Sequence, residues 1–572
     1  MSLSASMWTA VTGLLVHGEK MNVVGNNIAN VNTIGFKGSR MDFEDFVNQN
    51  VYAAAGPSQV GRGVSIGAIY GNFSQAAFES STDPTDMAIS GEGFFKVKPV
   101  GTDTEYYTRA GNFRFNADGY LVDPHGYALQ GWRIQVPTPS LASGSSSAAG
   151  STSASSLKGS GAPTNIKLDS FTCDPKHTNN MSLELNLDSR QSGKTSNTTS
   201  TPGLNPGDPG YDYADPFFAL FKNWDATQTP ALGENEYIYQ HTMNIYDEGG
   251  TMHKVTVYFD KVENKELDPN TTQGNIQHWE YIVTIDPTED YRDFADGGAV
   301  PDKMKGILMS GTLTFDSTGE FKNMTAYVPT EGAAGTNGTD DLSTWVQAPV
   351  SANGYPMFCP NFSGAPGASE AWDPATPGNV NPLAQNYLVE LNLGLRNKGD
   401  AWSASLPANA AGIAGDASLV AGIDQNDLEP QPGRTKSYAQ SSGSVNQSQD
   451  GYSFGYLSTV HVDRDGILYG KYSNGQTLAL FQVALYDFIS PHNLRREGGN
   501  LFSQTRESGD ATSGPANSMG LGSVYGNSIE QSNVDLSTEF VQMITTQRGF
   551  QANSKAITTV DTMLETVIGM KR

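Results

Sequence analysis

The two ends of the chain constrain its fold more than anything between them. Over the first thirty residues, Leu3, Met7, Ala10, Leu14, His17, Met21, Val24, Ile28 and Val31 recur at alternating spacings of four and three, and only His17 is not apolar. This is a sustained heptad seam, the pattern of a helix with one narrow apolar stripe. The last forty residues carry a second stripe through Leu536, Phe540, Met543, Phe550, Ile557, Leu564 and Ile568. Gln547, Ser554 and Asp561 interrupt it, while Val560, Met563 and Val567 broaden it toward the end. Either Asn533 or Asp535 is suited to cap a helix that starts at Leu536, and no proline breaks either segment. A lone helix cannot bury such a stripe, so each needs a partner. Pairing the first helix with the last is the economical solution and brings the termini together. Any stripe left over would pack on neighbouring copies, although an ordinary intramolecular pair satisfies the pattern equally well. His17 reads as a partly exposed residue at the seam's edge, not as a metal ligand.

Between the helices the signals are those of β structure. Residues 106–132 alternate apolar and polar side chains and carry tight-turn sequences at 116–119 and 123–126, which predicts a β-meander. Residues 458–488 repeat the design with turns at 463–466 and 473–475, and 241–259 and 311–321 read as two further hairpins. A chain of 572 residues with 62 glycines, 29 prolines and 37% hydrophobic residues is too long for one core and favours short strands joined by turns. Stretches rich in small polar residues at 137–163, 431–450 and roughly 508–523 read as linkers or loops. The expected fold is mainly β and multidomain, with β domains inserted within one another and the N- and C-terminal helices paired as an α-helical coiled coil. In this nested plan residues 1–32 and 533–572 are the helices, and 33–72 with 524–532 form an extended connecting arm. Residues 73–137 and 446–523 make a middle β domain, and 138–445 an inserted outer region of two subdomains.

Several function classes drop out. The net charge of −25 argues against nucleic acid, whose phosphates require a basic surface. Two cysteines, Cys173 and Cys359, cannot make a disulfide framework, and no apolar run approaches the roughly 20 residues of a membrane span. The first twenty residues lack the basic start and cleavage site of a secretory signal. The eight histidines form no HExxH pair or zinc-spaced cluster with cysteine, and neither a nucleophile elbow nor a phosphate loop is present. Residues 463–466 resemble the opening of a calcium loop but lack its later ligands, so a hairpin turn explains them better. Asp424, Asp427 and Glu429 read as a solvated loop. The chain is therefore expected to be no enzyme and to carry neither metal nor cofactor.

Residues 25–38, GNNIANVNTIGFKG, closely resemble the signature that follows the first helix in flagellar rod, hook and hook-associated proteins. Its Asn26, Asn27, Asn30, Asn32, Gly35 and Phe36 suit a helix end that passes into an irregular arm. The likeness continues in DMAISGEGFFKV (86–97), TRAGNFRFNADGYLVDPHGYALQG (108–131) and almost throughout 529–569. Residues 246–259, 279–287, 311–321 and 457–509 are similar to hook subunits in particular, whereas 200–236 and 325–425 look like additions. The resemblance implies a structural subunit of a curved tube that transmits torque. Its terminal helices would line the inner tube through Leu3, Met7, Leu14, Met21, Ile28, Leu536, Phe540, Met543, Phe550, Ile557, Leu564 and Ile568. It implies as partners further copies of the chain, the distal rod protein, the hook cap, the hook–filament junction protein and the flagellar export apparatus, with no membrane insertion. It also implies an extracellular place in the flagellar hook, reached by type III export without a cleaved signal, with terminal segments that order only on assembly. In some hook proteins a cysteine cross-links to a lysine of the next subunit. Cys173 is the candidate here with Lys158 or Lys167, and an ordinary thiol is the simpler reading. The alternatives are another rod or hook-associated protein, an adhesive role for the insert, or a hydrolase carried in it.

Overall fold

The computed structural model describes residues 3–53, 56–134, 161–194, 216–263, 276–294, 298–299, 303–329, 342–362, 388–399, 402–413, 416–420 and 422–570. Among them are three α-helices, α1 (Leu3–Ala29), α2 (Ala219–Asn223) and α3 (Leu536–Met570), and most other regular structure is β-strand. The chain divides into two compact units. One spans Met1–Pro137, Thr152–Thr172 and Tyr456–Arg572; the other spans Thr138–Ser151 and Cys173–Gly455.

In the first unit α1 and α3 lie side by side, and Asp535 rather than Asn533 caps α3, accepting from Ser537 N at 2.8 Å. The segment expected as an extended arm is folded back on itself. Ser39–Asp45 pairs antiparallel with Val64–Gly71, and Gln49–Ala53 pairs with Gly56–Val60 between them. Beyond the arm, strands from the two distant halves of the chain interleave in one sheet. Tyr127–Arg133 pairs with Phe94–Pro99 on one side and with Thr477–Asp487 on the other. The two-residue period of a strand sends Phe95 into a core with Phe113, Leu129, Ile166 and Val483, while Phe94 enters a separate cluster with Tyr107, Phe488 and Phe502. The turns at 116–119 and 123–126 form as expected, and 463–466 closes a hairpin with Gly466 N donating to Asp463 O at 3.0 Å. Residues 508–523 are not simply a linker, since Thr512–Pro515 pairs with the Thr477–Asp487 strand.

The second unit is layered. A seven-stranded sheet is built around Met252–Val262, Gln277–Thr284 and Ile307–Phe315, and a four-stranded sheet contains Met357–Phe358, Val389–Asn392, Asn180–Asn186 and Gly443–Gln449. Leu183, Leu185 and Leu391 of the smaller sheet share a core with Val257, Trp279, Tyr281 and Leu313 of the larger. Residues 431–450, expected as a linker, supply the Gly443–Gln449 strand, so the unit reaches Gly455 and not 445. The correction has a physical reason: the Ser, Asn and Gln side chains there are mostly exposed, and the backbone ladder, with a hydrogen bond between Gln447 and His241, secures the strand without an apolar face.

The other face of the larger sheet is covered by a second core. Phe217, Phe218, Phe221 and Trp224 around α2 pack with Leu342, Trp345, Leu406 and Ile413, and all meet Ile282 and Ile307 of the sheet. The described parts of the added segments, expected as a separate subdomain, are instead divided between this layer and strands of both sheets, and Ile307–Phe315 is buried along its whole length. His278 lies at this boundary, with its ring edge on Phe217 at 5.6 Å and Nδ1 3.3 Å from Thr314 Oγ1. Burial lowers its pKa to about 4.

Two outcomes follow from this packing. Phe221→Ala, which empties an aromatic contact on Trp345 at 5.0 Å, is expected to cost the second unit about 3–4 kcal/mol, read as a lower midpoint of its urea transition. A depressed imidazole pKa means that the unfolded state binds the proton first. The His278 contribution is therefore whole above about pH 6.5 and is lost as pH falls toward 4, by up to about 3 kcal/mol. Denaturation from pH 7.5 to 4 should show that slope, and His278→Leu should flatten it.

Candidate assembly interface

The signature at 25–38 is built around one buried carboxylate. Lys37 Nζ sits 2.7 Å from Glu530 Oε1, both side chains fully buried, and also donates to Ser74 O at 2.8 Å. Ala76 N donates to the same Glu530 oxygen at 2.9 Å, and the Arg109 guanidinium stands 3.8 Å from the other while donating to Gly91 O. Burial pushes the Lys37 ammonium down and its ion pair with Glu530 pulls it back. Gly35 has φ +68°, and a Cβ on it would lie 2.6 Å from Ala110 N, so only glycine lets the chain pass there. Gly35 N donates to Glu530 O at 2.8 Å.

The remaining signature residues divide by role. Asn27 is buried, donating to Ser39 O and accepting from Ser39 N, each at 2.9 Å, and reaching Glu539 Oε1 of α3 at 3.2 Å. Asn30 donates to Asn26 O and accepts from Thr33, closing the end of α1. Phe36 is buried under the Arg496 guanidinium. Asn26 and Asn32 are exposed. Asn533, freed from capping, accepts from Gly38 N at 2.8 Å and donates to Asn72 O at 2.8 Å.

The buried line on the helices includes Ala10 and Val24 of the expected stripe and adds residues beside it. On α1 the buried residues are Ala10, Gly13, Val16, Val24 and Asn27, while Met7, Leu14, Met21 and Ile28 are half-buried beside them. On α3 Thr546 is buried, and Met543, Phe550, Ile557 and Leu564 are half-buried. Leu536, Phe540 and Ile568 are exposed, joined by Val541, Ile544, Met563 and Met570, and on α1 by Trp8 and Leu15. The Leu3 side chain lies outside the described residues. His17 is half-buried with its ring against Phe43 at 5.4 Å, and burial followed by the charge of Lys20 lowers its pKa. Sequence reasoning missed Gly13, Asn27, Glu539, Thr546, Gly549 and Asn553 as contact residues because they are small or polar. Their only signal is that they share one helical face.

Cys173 is buried, its Sγ 3.4 Å from Asp174 O, and neither it nor Cys359 forms a disulfide. Lys158 lies outside the described residues, and Lys167 Nζ sits over the Tyr120 ring at 5.1 Å. No helix among the described residues is long and apolar enough to cross a membrane.

Known families match four stretches of the chain. "Flagella basal body rod protein" matches residues 7–37, and "Flagellar hook protein FlgE/F/G D1 domain" matches 88–154. "Flagellar basal body protein FlaE D2 domain" matches 223–452, and "Flagellar basal body rod FlgEFG protein C-terminal" matches 526–570. The flagellar hook proteins FlgE of Treponema pallidum and Borreliella burgdorferi are each 28% identical, over 99% of this chain and 99% of their own length. A crystal structure of Helicobacter pylori flagellar hook protein FlgE2 covers 79% of this chain and 100% of its own, at 15% identity and a TM-score of 0.42. With relatives aligned end to end and family matches at both helices and in both units, the chain is similar throughout its length to flagellar hook proteins.

Proposed function

We propose that the chain is the repeating structural subunit of the flagellar hook, a homopolymer that bends while passing motor torque to the filament. The observation that carries this reading is the division of labour on the terminal helices. Small and polar residues such as Gly13, Gly549, Asn553 and Glu539 lie where α1 meets α3, while Trp8, Leu15, Phe540, Val541, Ile544, Met563 and Ile568 are exposed. Each such side chain gains roughly 1.5–3 kcal/mol when fully buried, so neighbouring copies supply what the single chain leaves open. On this reading the helices form the coiled-coil inner wall, the interleaved β domain the middle shell and the inserted second unit the outer surface. The last carries contacts weak enough to slide as the tube turns. Export through the flagellar type III apparatus, assembly on the distal rod under a hook cap, and a junction with the filament belong to the same proposal. Cys173 is read as an ordinary thiol, since its burial keeps it out of reach of a neighbour's side chains.

Electron microscopy of flagella from cells lacking the gene, beside cells with a tagged copy, tests the assignment. Basal bodies without hook or filament, and label confined to a short curved segment, are expected. Label on the rod or at the filament junction would make the chain another axial protein. Val541→Asp, Phe550→Asp and Ile557→Asp should each abolish polymerisation in sedimentation assays while leaving the thermal transitions of the β domains in place. Glu530→Gln should instead destabilise the first unit by about 3–5 kcal/mol, because it strands the buried Lys37, and calorimetry of the purified chain measures that loss.

A further inference from the structure

Three side-chain contacts between α1 and α3 obey a single antiparallel register. The Asn553 amide lies against Gly13, where a Cβ would stand 2.8 Å from Nδ2. The His17 ring lies against Gly549, where a Cβ would meet Cε1 at 2.7 Å and Nε2 at 2.8 Å. Asn27 Nδ2 donates to Glu539 Oε1 at 3.2 Å. Four residues separate Gly13 from His17, as four separate Asn553 from Gly549; ten separate His17 from Asn27, as ten separate Gly549 from Glu539. All three contacts therefore close together at this offset.

An apolar heptad seam is degenerate, since sliding one helix by seven residues matches apolar to apolar again. That slide moves α3 about 10 Å along α1, and it would set His17 against Gln542 or Ala556, each with a Cβ where the ring needs none. The ring is hemmed in by Phe43 at 5.4 Å, and the Asn553 amide is tied to Gly549 O at 3.0 Å, so the two notches are coupled.

We propose that His17–Gly549, Asn553–Gly13 and Asn27–Glu539 are a register lock. These positioning residues set the offset of α3 against α1, and with it the height at which every subunit presents its outward apolar stripe to the next copy. This rests on the hook-subunit reading above.

Adding a methyl group to a helical glycine ordinarily favours the helix, so a loss on Gly→Ala is diagnostic. In cells making the full chain, Gly549→Ala is expected to abolish hook assembly. Gly13→Ala should weaken it less, because the Asn553 amide can rotate at the cost of its hydrogen bond. His17→Ala should rescue Gly549→Ala, and Asn553→Ala should rescue Gly13→Ala, whereas the crossed pairs should not. Thermal melting of the helical circular dichroism of the same purified variants reads the lock without a polymer. Normal assembly by Gly549→Ala, or equal rescue by crossed pairs, overturns the proposal. Rescue in melting but never in assembly refutes the positioning role. Normal hooks in cells lacking the chain would refute the hook-subunit reading instead, and the melting cycle would still decide the lock.

Discussion

The buried carboxylate of Glu530 is the interaction on which the first unit depends. It receives Lys37 from the segment after α1, Ala76 N from the start of the β domain and the nearby charge of Arg109 from within it, and α3 begins six residues later. Taking such a group out of water is costly unless its partners are all present. Residues separated by almost five hundred positions must therefore arrive together. The clasp joins helices and β domain through directional bonds, which hold a defined angle where an apolar contact would let them swivel.

The helix pair shows the opposite economy. Its contact line contains glycine, threonine, asparagine and a glutamate, and His17 Nδ1 and Glu539 Oε2 are buried without a hydrogen-bond partner among the described residues. Those polar groups weaken the pair but distinguish one register from the others. The strongest apolar residues are kept for the outside. A subunit built this way is held in shape by its clasp, and on the proposed reading neighbouring copies would add to the stability of its helices.

The second unit gains its stability internally. Both faces of its central strands are covered, one by a four-stranded sheet and the other by the aromatic layer around α2. Trp279, Tyr281, Trp345 and Phe221 are buried almost completely. With so much apolar surface satisfied inside, what remains outside is largely polar turns capped by their own aspartates, as at Asp247, Asp316 and Asp424.

By itself the sequence determined the elements whose information is local. Heptad spacing predicts both terminal helices, glycine and aspartate place the turns at 116–119, 123–126 and 463–466, and alternation marks the strands between them. The asparagine-rich signature also pointed to the segment that ends α1. What it left open depended on partners far away in the chain. Local pattern gave no sign that Lys37 meets Glu530, that 431–450 completes a sheet with Asn180–Asn186, or that Phe217 and Phe221 share a core with Trp345 and Ile413. The small and polar members of the helix contact were not legible for a related reason. Hydropathy ranks side chains by how much they gain from leaving water, whereas two helices approach most closely where the side chains are smallest. Only the tertiary structure, which brings Gly13 to Asn553 and Gly549 to His17, decided which stripe was shared and which was left for another copy.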